Sequence, residues 1–258
     1  FARLQYQRNY LKEDSQRYRR PLISRKFEEP LDLFDAHLYE KGAAVLHMLR
    51  RQLGDETFFG AVQRYVSEHA DGLVETSDLR RAVEGFSGLD HGRFFDQWVE
   101  VGAGHPELRV QGSWQGEERR FTMVVEQTQE GADATPFHLQ ASLLLVDVGG
   151  QQTPHALRIT RSREVFGFHM AQAPAMAVFD PRGDLLATVE LDLPEPMLRT
   201  ALGARLPVRA RIAAAHALAK RPGRRNLEML AKALMEDESW CVQAEVAAAL
   251  AKVNSGGA

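Results

Sequence analysis

Nine histidines are spread along the chain, and the first chemistry to seek from them is metal-assisted hydrolysis. A zinc peptidase helix needs His-Glu-x-x-His, which sets two imidazoles on one helical face with a glutamate base between them. No histidine stands in that pattern. His37 and His47 are ten residues apart, a spacing that turns them to different sides of a helix. His91, His105, His138, His155, His169 and His216 are isolated along the chain, and each reads as a surface or satisfied core histidine. A single cysteine, Cys241, excludes an intrachain disulfide framework and a cysteine-cluster metal site; between Trp240 and Val242 it reads as a buried, inert thiol. Phosphate-binding glycine loops, dinucleotide fingerprints and Gly-x-Ser-x-Gly elbows are absent.

Polar function gathers instead in Tyr-Glu-Lys-Gly-Ala, residues 39–43. On spacing alone Tyr39 reads first as a packed or surface tyrosine. Two features point beyond that. Gly42, in the first turns of a helix, costs ~1 kcal/mol relative to alanine, and such a glycine often marks close approach by a backbone or a ligand. Tyr39, Lys41 and Gly42 also crowd into positions where a plain core helix shows leucine.

The elements that must position these residues fall into three textures. From Asp35 to about Gly102 the period is helical: Leu38, Val45, Leu46 and Leu49 form one stripe, and Gly54 stops the helix. Phe58, Phe59, Val62, Tyr65 and Val66 form the next stripe, with Asp55 as its expected cap. Leu79, Val83 and Phe86 follow, then Phe94, Phe95, Trp98 and Val99. From about Glu107 the period becomes two, in seven strand-like runs that predict an antiparallel sandwich. Leu143, Leu144, Leu145 and Val146 are apolar on both faces, as in a covered central strand. After Pro194 helix returns, and Val208–Lys220 resembles Val242–Lys252 at the spacing of stacked helical repeats.

Composition bounds the function. With 44% hydrophobic and 26% charged residues the chain is globular, and a net charge of −3 argues against nucleic acid as a partner. The basic run holding Arg17, Arg19, Arg20, Arg25 and Lys26 reads as a solvated, ion-paired surface. No run of eighteen apolar residues exists, so no membrane span is expected, and the cytoplasm is the default compartment. A start at Phe1 suggests a piece of something longer.

The stretch from Tyr39 to Val66, and the later one ending in Phe94, Phe95, Gln97, Trp98, Gly104 and Pro106, resemble the aminopeptidase N family of zinc metallopeptidases, downstream of its zinc site. The upstream residues 18–43 are closest to a bacterial branch with HEAT-like repeats, itself similar to a non-catalytic subunit of the eukaryotic transcription initiation complex. The resemblance implies a multidomain α and β chain. Residues 1–104 form the helical end of a thermolysin-like peptidase domain, 105–193 an antiparallel β-sandwich, and 194–258 the start of an α-helical HEAT-like repeat domain. It further implies zinc in the full-length enzyme, held by no residue of this chain, and peptides as substrate. Tyr39 is implied as the hydroxyl that stabilises the oxyanion, while Lys41 and Gly42 take structural parts. The chain alone should then be inactive. A different class remains open: a scaffold that kept the peptidase fold and lost the metal. In either case the apolar helix faces could drive self-association.

Overall fold

The computed structural model describes residues 2–130 and 135–255 and divides into two compact units, Ala2–His105 and the chain from Pro106 onward.

The first unit opens with α1 (Ala2–Gln16), a helix that the hydrophobic pattern did not announce. Its buried residues are Leu4, Tyr10 and Asp14, a stripe too polar to register as an apolar face. A single turn of π-helix (His37–Lys41) leads into α2 (Gly42–Leu53). Then come α3 (Asp55–Glu68), α4 (Thr76–Ser87), and the short α5 (Gly92–Phe95), which runs on into a second π-turn, Asp96–Glu100. The core joins Leu49, Ala61, Val83 and Phe95, with Leu53, Phe58, Leu79, Phe94 and Val99 packed around them.

The expected helices exist, but their predicted faces are only partly the buried ones. Leu38, Leu46, Phe59, Val66 and Phe86 are exposed. Leu38 lies in the π-turn, where the widened backbone breaks the 3.6 period. Asp55 does not cap α3. Gly54 takes that place at φ 81°, a conformation that favours glycine, and Asp55 pairs instead with Arg50 at 2.9 Å. At α4 the cap is a reciprocal box between Glu75 and Asp78.

The second unit holds β1 (Glu107–Gln115), β2 (Arg120–Gln127), β3 (Leu139–Val146), β4 (Gln152–Ile159), β5 (Arg163–His169), β6 (Met176–Phe179) and β7 (Thr188–Asp192). They form two sheets, ordered β5-β2-β1-β7 and β4-β3-β6. Alternation brings Leu108 and Val110, Phe121, Met123 and Val125, and Leu143 and Leu145 to buried positions. The expectation of a wholly antiparallel array is corrected at one place: β7 runs parallel to β1, Leu108 beside Val189 and Val110 beside Leu191.

Helices α6 (Glu195–Gly203), α7 (Val208–Ala219), α8 (Arg224–Glu236) and α9 (Trp240–Ser255) complete this unit. α7 packs on both α6 and α9. Its alanines are buried nearly all round, which lets neighbouring backbones approach closely. The 34-residue echo is also an echo of burial: Arg211 and Glu245, Ile212 and Val246, and Ala215 and Ala249 are all buried. Cys241 is buried, as expected. No helix among the described residues is long and apolar enough to cross a membrane.

Candidate active site

The surroundings of Tyr39 are built by two carboxylates and an arginine. Asp35 accepts the Leu38 N–H on Oδ1 at 2.9 Å, and its backbone carbonyl accepts the Tyr39 N–H at 3.1 Å. Glu13, reaching over from α1, accepts the Ala36 N–H at 2.7 Å. The Ala36 and Leu38 amides are among the first of a helix, which have no partner within it, and negative charge there is favoured by the helix dipole. Arg20 then grips Asp35 with two bonds, Nε to Oδ2 at 2.9 Å and a terminal nitrogen to Oδ1 at 2.6 Å. Burial pushes the Asp35 carboxyl up, but Arg20, the Leu38 amide and the Tyr18 hydroxyl outweigh it, so its pKa is lowered.

The Lys41 N–H reaches back five residues to the Ala36 carbonyl at 2.9 Å, the bond that makes the turn a π-turn. His37 and Lys41 face inward and are fully buried, while Tyr39 between them is 57% exposed. The Tyr39 ring lies 6.0 Å from that of Phe34. Its hydroxyl makes no hydrogen bond among the described residues. A cleft of about 590 Å³ passes beside it, with Asn9, Lys12, Glu13 and Glu40 in its wall. The structure therefore presents a phenol with a free proton at the edge of a polar cleft. Gly42 departs from expectation: a Cβ there would meet only the Leu22 side chain, at an ordinary 3.5 Å, so no backbone among the described residues demands the glycine.

Behind the turn lies a buried polar cluster that holds His37 and makes His105 a satisfied core histidine. Asp14 is its centre. Its Oδ1 accepts the Tyr10 hydroxyl at 3.2 Å and its Oδ2 accepts the Arg19 Nε–H at 2.9 Å. His37 Nε2 lies 3.4 Å from Asp14 Oδ1, its Nδ1 lies 3.6 Å from Asp35 Oδ2, and its ring stacks on Tyr18 at 5.4 Å. His105 Nδ1 stands 3.3 Å from the Tyr10 oxygen. Since that hydroxyl donates to Asp14, the contact is a hydrogen bond when Nδ1 carries a proton. Burial depresses the His105 pKa to about 4, against the pull of Asp14 and with the help of Arg19 and Lys41. Burial raises the Asp14 pKa, but His37, Arg19 and His105 more than reverse it, and the net shift is downward. Burial and the Asp14 charge push the Tyr10 phenol up. Lys41 Nζ sits over the Tyr10 ring and donates to the Gly102 carbonyl at 3.3 Å.

Two imidazoles and a carboxylate are donors that zinc accepts, yet these do not fit it. They face each other directly, and the Arg19 guanidinium occupies Asp14 Oδ2. Among the described residues no group of three His, Cys, Asp or Glu is placed to hold a metal ion. The basic run is likewise only partly as expected. Arg17, Arg19 and Arg20 are ion-paired, but the Arg20 side chain is 11% exposed, an interior anchor rather than a solvated charge.

Of the residues in this site, sequence reasoning singled out Tyr39, Lys41 and Gly42, read Arg20 as part of a solvated surface and His105 as a surface or satisfied core histidine, and gave no part to Asp14 or Asp35. A signal existed for some of them. Tyr10 and Asp14, and His37 and Lys41, are each four apart and so share a helical face. Nothing in the spacing of Asp14 and His105 links them.

Residues 2–98 match the Peptidase family M1 domain. Over that stretch the chain is similar to proteins of the aminopeptidase N family. It is 39% identical over 83 residues to Tricorn protease-interacting factor F2 of Thermoplasma volcanium, covering 32% of this chain and 10% of that protein. Against aminopeptidase N of Escherichia coli it is 25% identical over 169 residues, 60% of this chain and 19% of the relative. Against aminopeptidase N of Lactococcus lactis the figures are 42% over 80 residues, 31% and 9%. The chain thus spans between 9% and 19% of the length of these relatives. In fold it is similar to the crystal structure of Legionella pneumophila aminopeptidase A in complex with aspartic acid. That similarity has a TM-score of 0.72 at 16% identity and covers 94% of this chain and 31% of the other.

Proposed function

We propose that this chain is the C-terminal portion of a zinc-dependent aminopeptidase that removes N-terminal residues from peptides. Residues 1–104 then complete a thermolysin-like catalytic domain, 105–193 form its β-sandwich and 194–258 begin a HEAT-like repeat domain. The zinc and the residues that hold it belong to sequence outside this chain, which on its own is inactive. Tyr39 is the residue this chain supplies to catalysis. The observation that carries the proposal is its hydroxyl, half exposed beside the cleft with its proton uncommitted, on a turn held by Asp35 and Glu13. As the carbonyl carbon of the scissile amide becomes tetrahedral, its oxygen gains negative charge. Tyr39 donates a hydrogen bond to that oxygen. One fixed donor of this kind stabilises the transition state by ~2.7–4 kcal/mol, or 10²–10³ in turnover.

The test is Tyr39→Phe in the longest natural polypeptide that contains this chain, assayed on aminoacyl p-nitroanilides. Turnover should fall by ~10²–10³ with the unfolding midpoint unchanged. Wild-type turnover in the variant removes Tyr39 from the mechanism. If no such polypeptide hydrolyses these substrates with zinc supplied, the non-catalytic scaffold reading replaces the enzyme.

A further inference from the structure

We infer that Arg20, acting through Asp35, is a positioning residue for the Tyr39 hydroxyl; the inference rests on the catalytic reading of Tyr39. The guanidinium is fully engaged. Besides its two bonds to Asp35 it donates to the carbonyls of Pro21 at 2.8 Å, Leu22 at 2.7 Å and Leu33 at 3.4 Å. One side chain therefore ties both ends of the 21–33 segment to a single carboxylate. That carboxylate is 4% exposed and is in turn the acceptor for the Leu38 amide, one residue before Tyr39. The Tyr18 hydroxyl closes the remaining approach to Asp35 Oδ2 at 2.8 Å.

The alternatives for holding Tyr39 are few. The tyrosine is half exposed, and the ring contact made by its own side chain is the tilted one with Phe34, which is itself exposed. Its position is set by the backbone of residues 35–41, whose amides at Ala36 and Leu38 are held by the Glu13 and Asp35 side chains and whose His37 and Lys41 side chains are buried. Glu13 lies on α1 and shares its charge with the exposed Arg17, whereas Asp35 is held by the largely buried Arg20 guanidinium and faces the buried His37 ring. A planar, bidentate fork is what keeps both Asp35 oxygens oriented, and lysine cannot reproduce it. Geometry at a reacting centre is unforgiving: a shift of ~1 Å can reduce rate ~10²-fold.

The experiment crosses Arg20→Lys with Tyr39→Phe in the same full-length polypeptide. Arg20→Lys alone should lower kcat by about 10- to 100-fold and leave KM within about twofold. Placed in the Tyr39→Phe background it should cause no further loss, because the hydroxyl it positions is gone. An equal loss in both backgrounds, or no loss in the first, overturns the inference. Wild-type turnover for Tyr39→Phe alone instead overturns the catalytic reading beneath it. Residue-resolved hydrogen exchange reads the positioning without activity: Arg20→Lys should speed exchange at the Leu38 and Tyr39 amides and spare those of Met48 and Leu49. Unchanged exchange at Leu38 sinks the proposal even if turnover falls. Should Arg20→Lys fail to fold, Asp35→Asn, which keeps an acceptor for Leu38 but weakens the grip of Arg20, is taken through the same cycle with the same expected outcomes.

Discussion

Acidification across the range where histidine titrates should loosen the first unit, and His105 is the main cause. Its ring is 5% exposed and neutral, hydrogen-bonded through Tyr10 to Asp14. The unfolded chain binds the His105 proton near pH 6.5, the folded one only at about 4. Between those values the unfolded state holds more protons, so stability falls as pH falls, beginning near 6.5 and complete near 4. At ~1.36 kcal/mol per pH unit the full effect is about 3 kcal/mol, a large part of the ~5–15 kcal/mol that holds a domain together. His91, whose pKa burial also lowers against Glu84 and Asp90, adds to the same slope. Asp14 and Asp35 do not. Their pKa values are lowered in the fold, so their contribution is intact above the unfolded carboxylate range, ~3.9, and is lost only as pH drops below it. The assay is hydrogen exchange at amides within residues 2–105, from pH 7 to 4.5 and corrected for intrinsic rates, on wild type and His105→Gln. Glutamine can still donate to the Tyr10 oxygen but does not titrate. Wild type should lose protection steadily over this range and the variant distinctly less. Identical slopes would refute the placement of a neutral imidazole in that pocket.

Two glycines should answer oppositely to the same change. A Cβ on Gly102 would stand 1.8 Å from the Gln97 carbonyl oxygen, so Gly102→Ala should lower stability by roughly 3 kcal/mol or more. Gly42→Ala meets ordinary contact and should raise stability by up to ~1 kcal/mol; urea unfolding midpoints decide both. In the second unit Arg211 and Asp237 form a buried pair at 3.1 Å. Arg211→Ala should destabilise the helices by ~3–5 kcal/mol, read from exchange or from calorimetry of the second unit.

Much of this architecture was legible because periodicity reports burial. Helices with Val83 or Phe95 on an inner face, and strands such as β2 with Phe121, Met123 and Val125 buried at every second position, follow from spacing alone. α1 escaped for a physical reason: its inner stripe ends in Tyr10 and Asp14, which are buried through hydrogen bonds rather than apolar contact. The same reason hid the cluster behind Tyr39. A buried arginine–aspartate pair has no period, and its members, Arg20 and Asp35, are brought together by a segment without regular repeat. Tyr39 itself was singled out by motif, not by spacing. Leu38, on the turn beside it, misled because a π-turn adds a residue that a 3.6-residue rule does not count.

The pairing of β7 with β1 means that the last strand of the second unit covers the open side of one of its first. A chain interrupted anywhere between Gln127 and Thr188 bares the row of amides and carbonyls along Leu108 to Gln111, an invitation to any extended segment nearby. Premature termination in that interval should yield a product prone to edge-to-edge association.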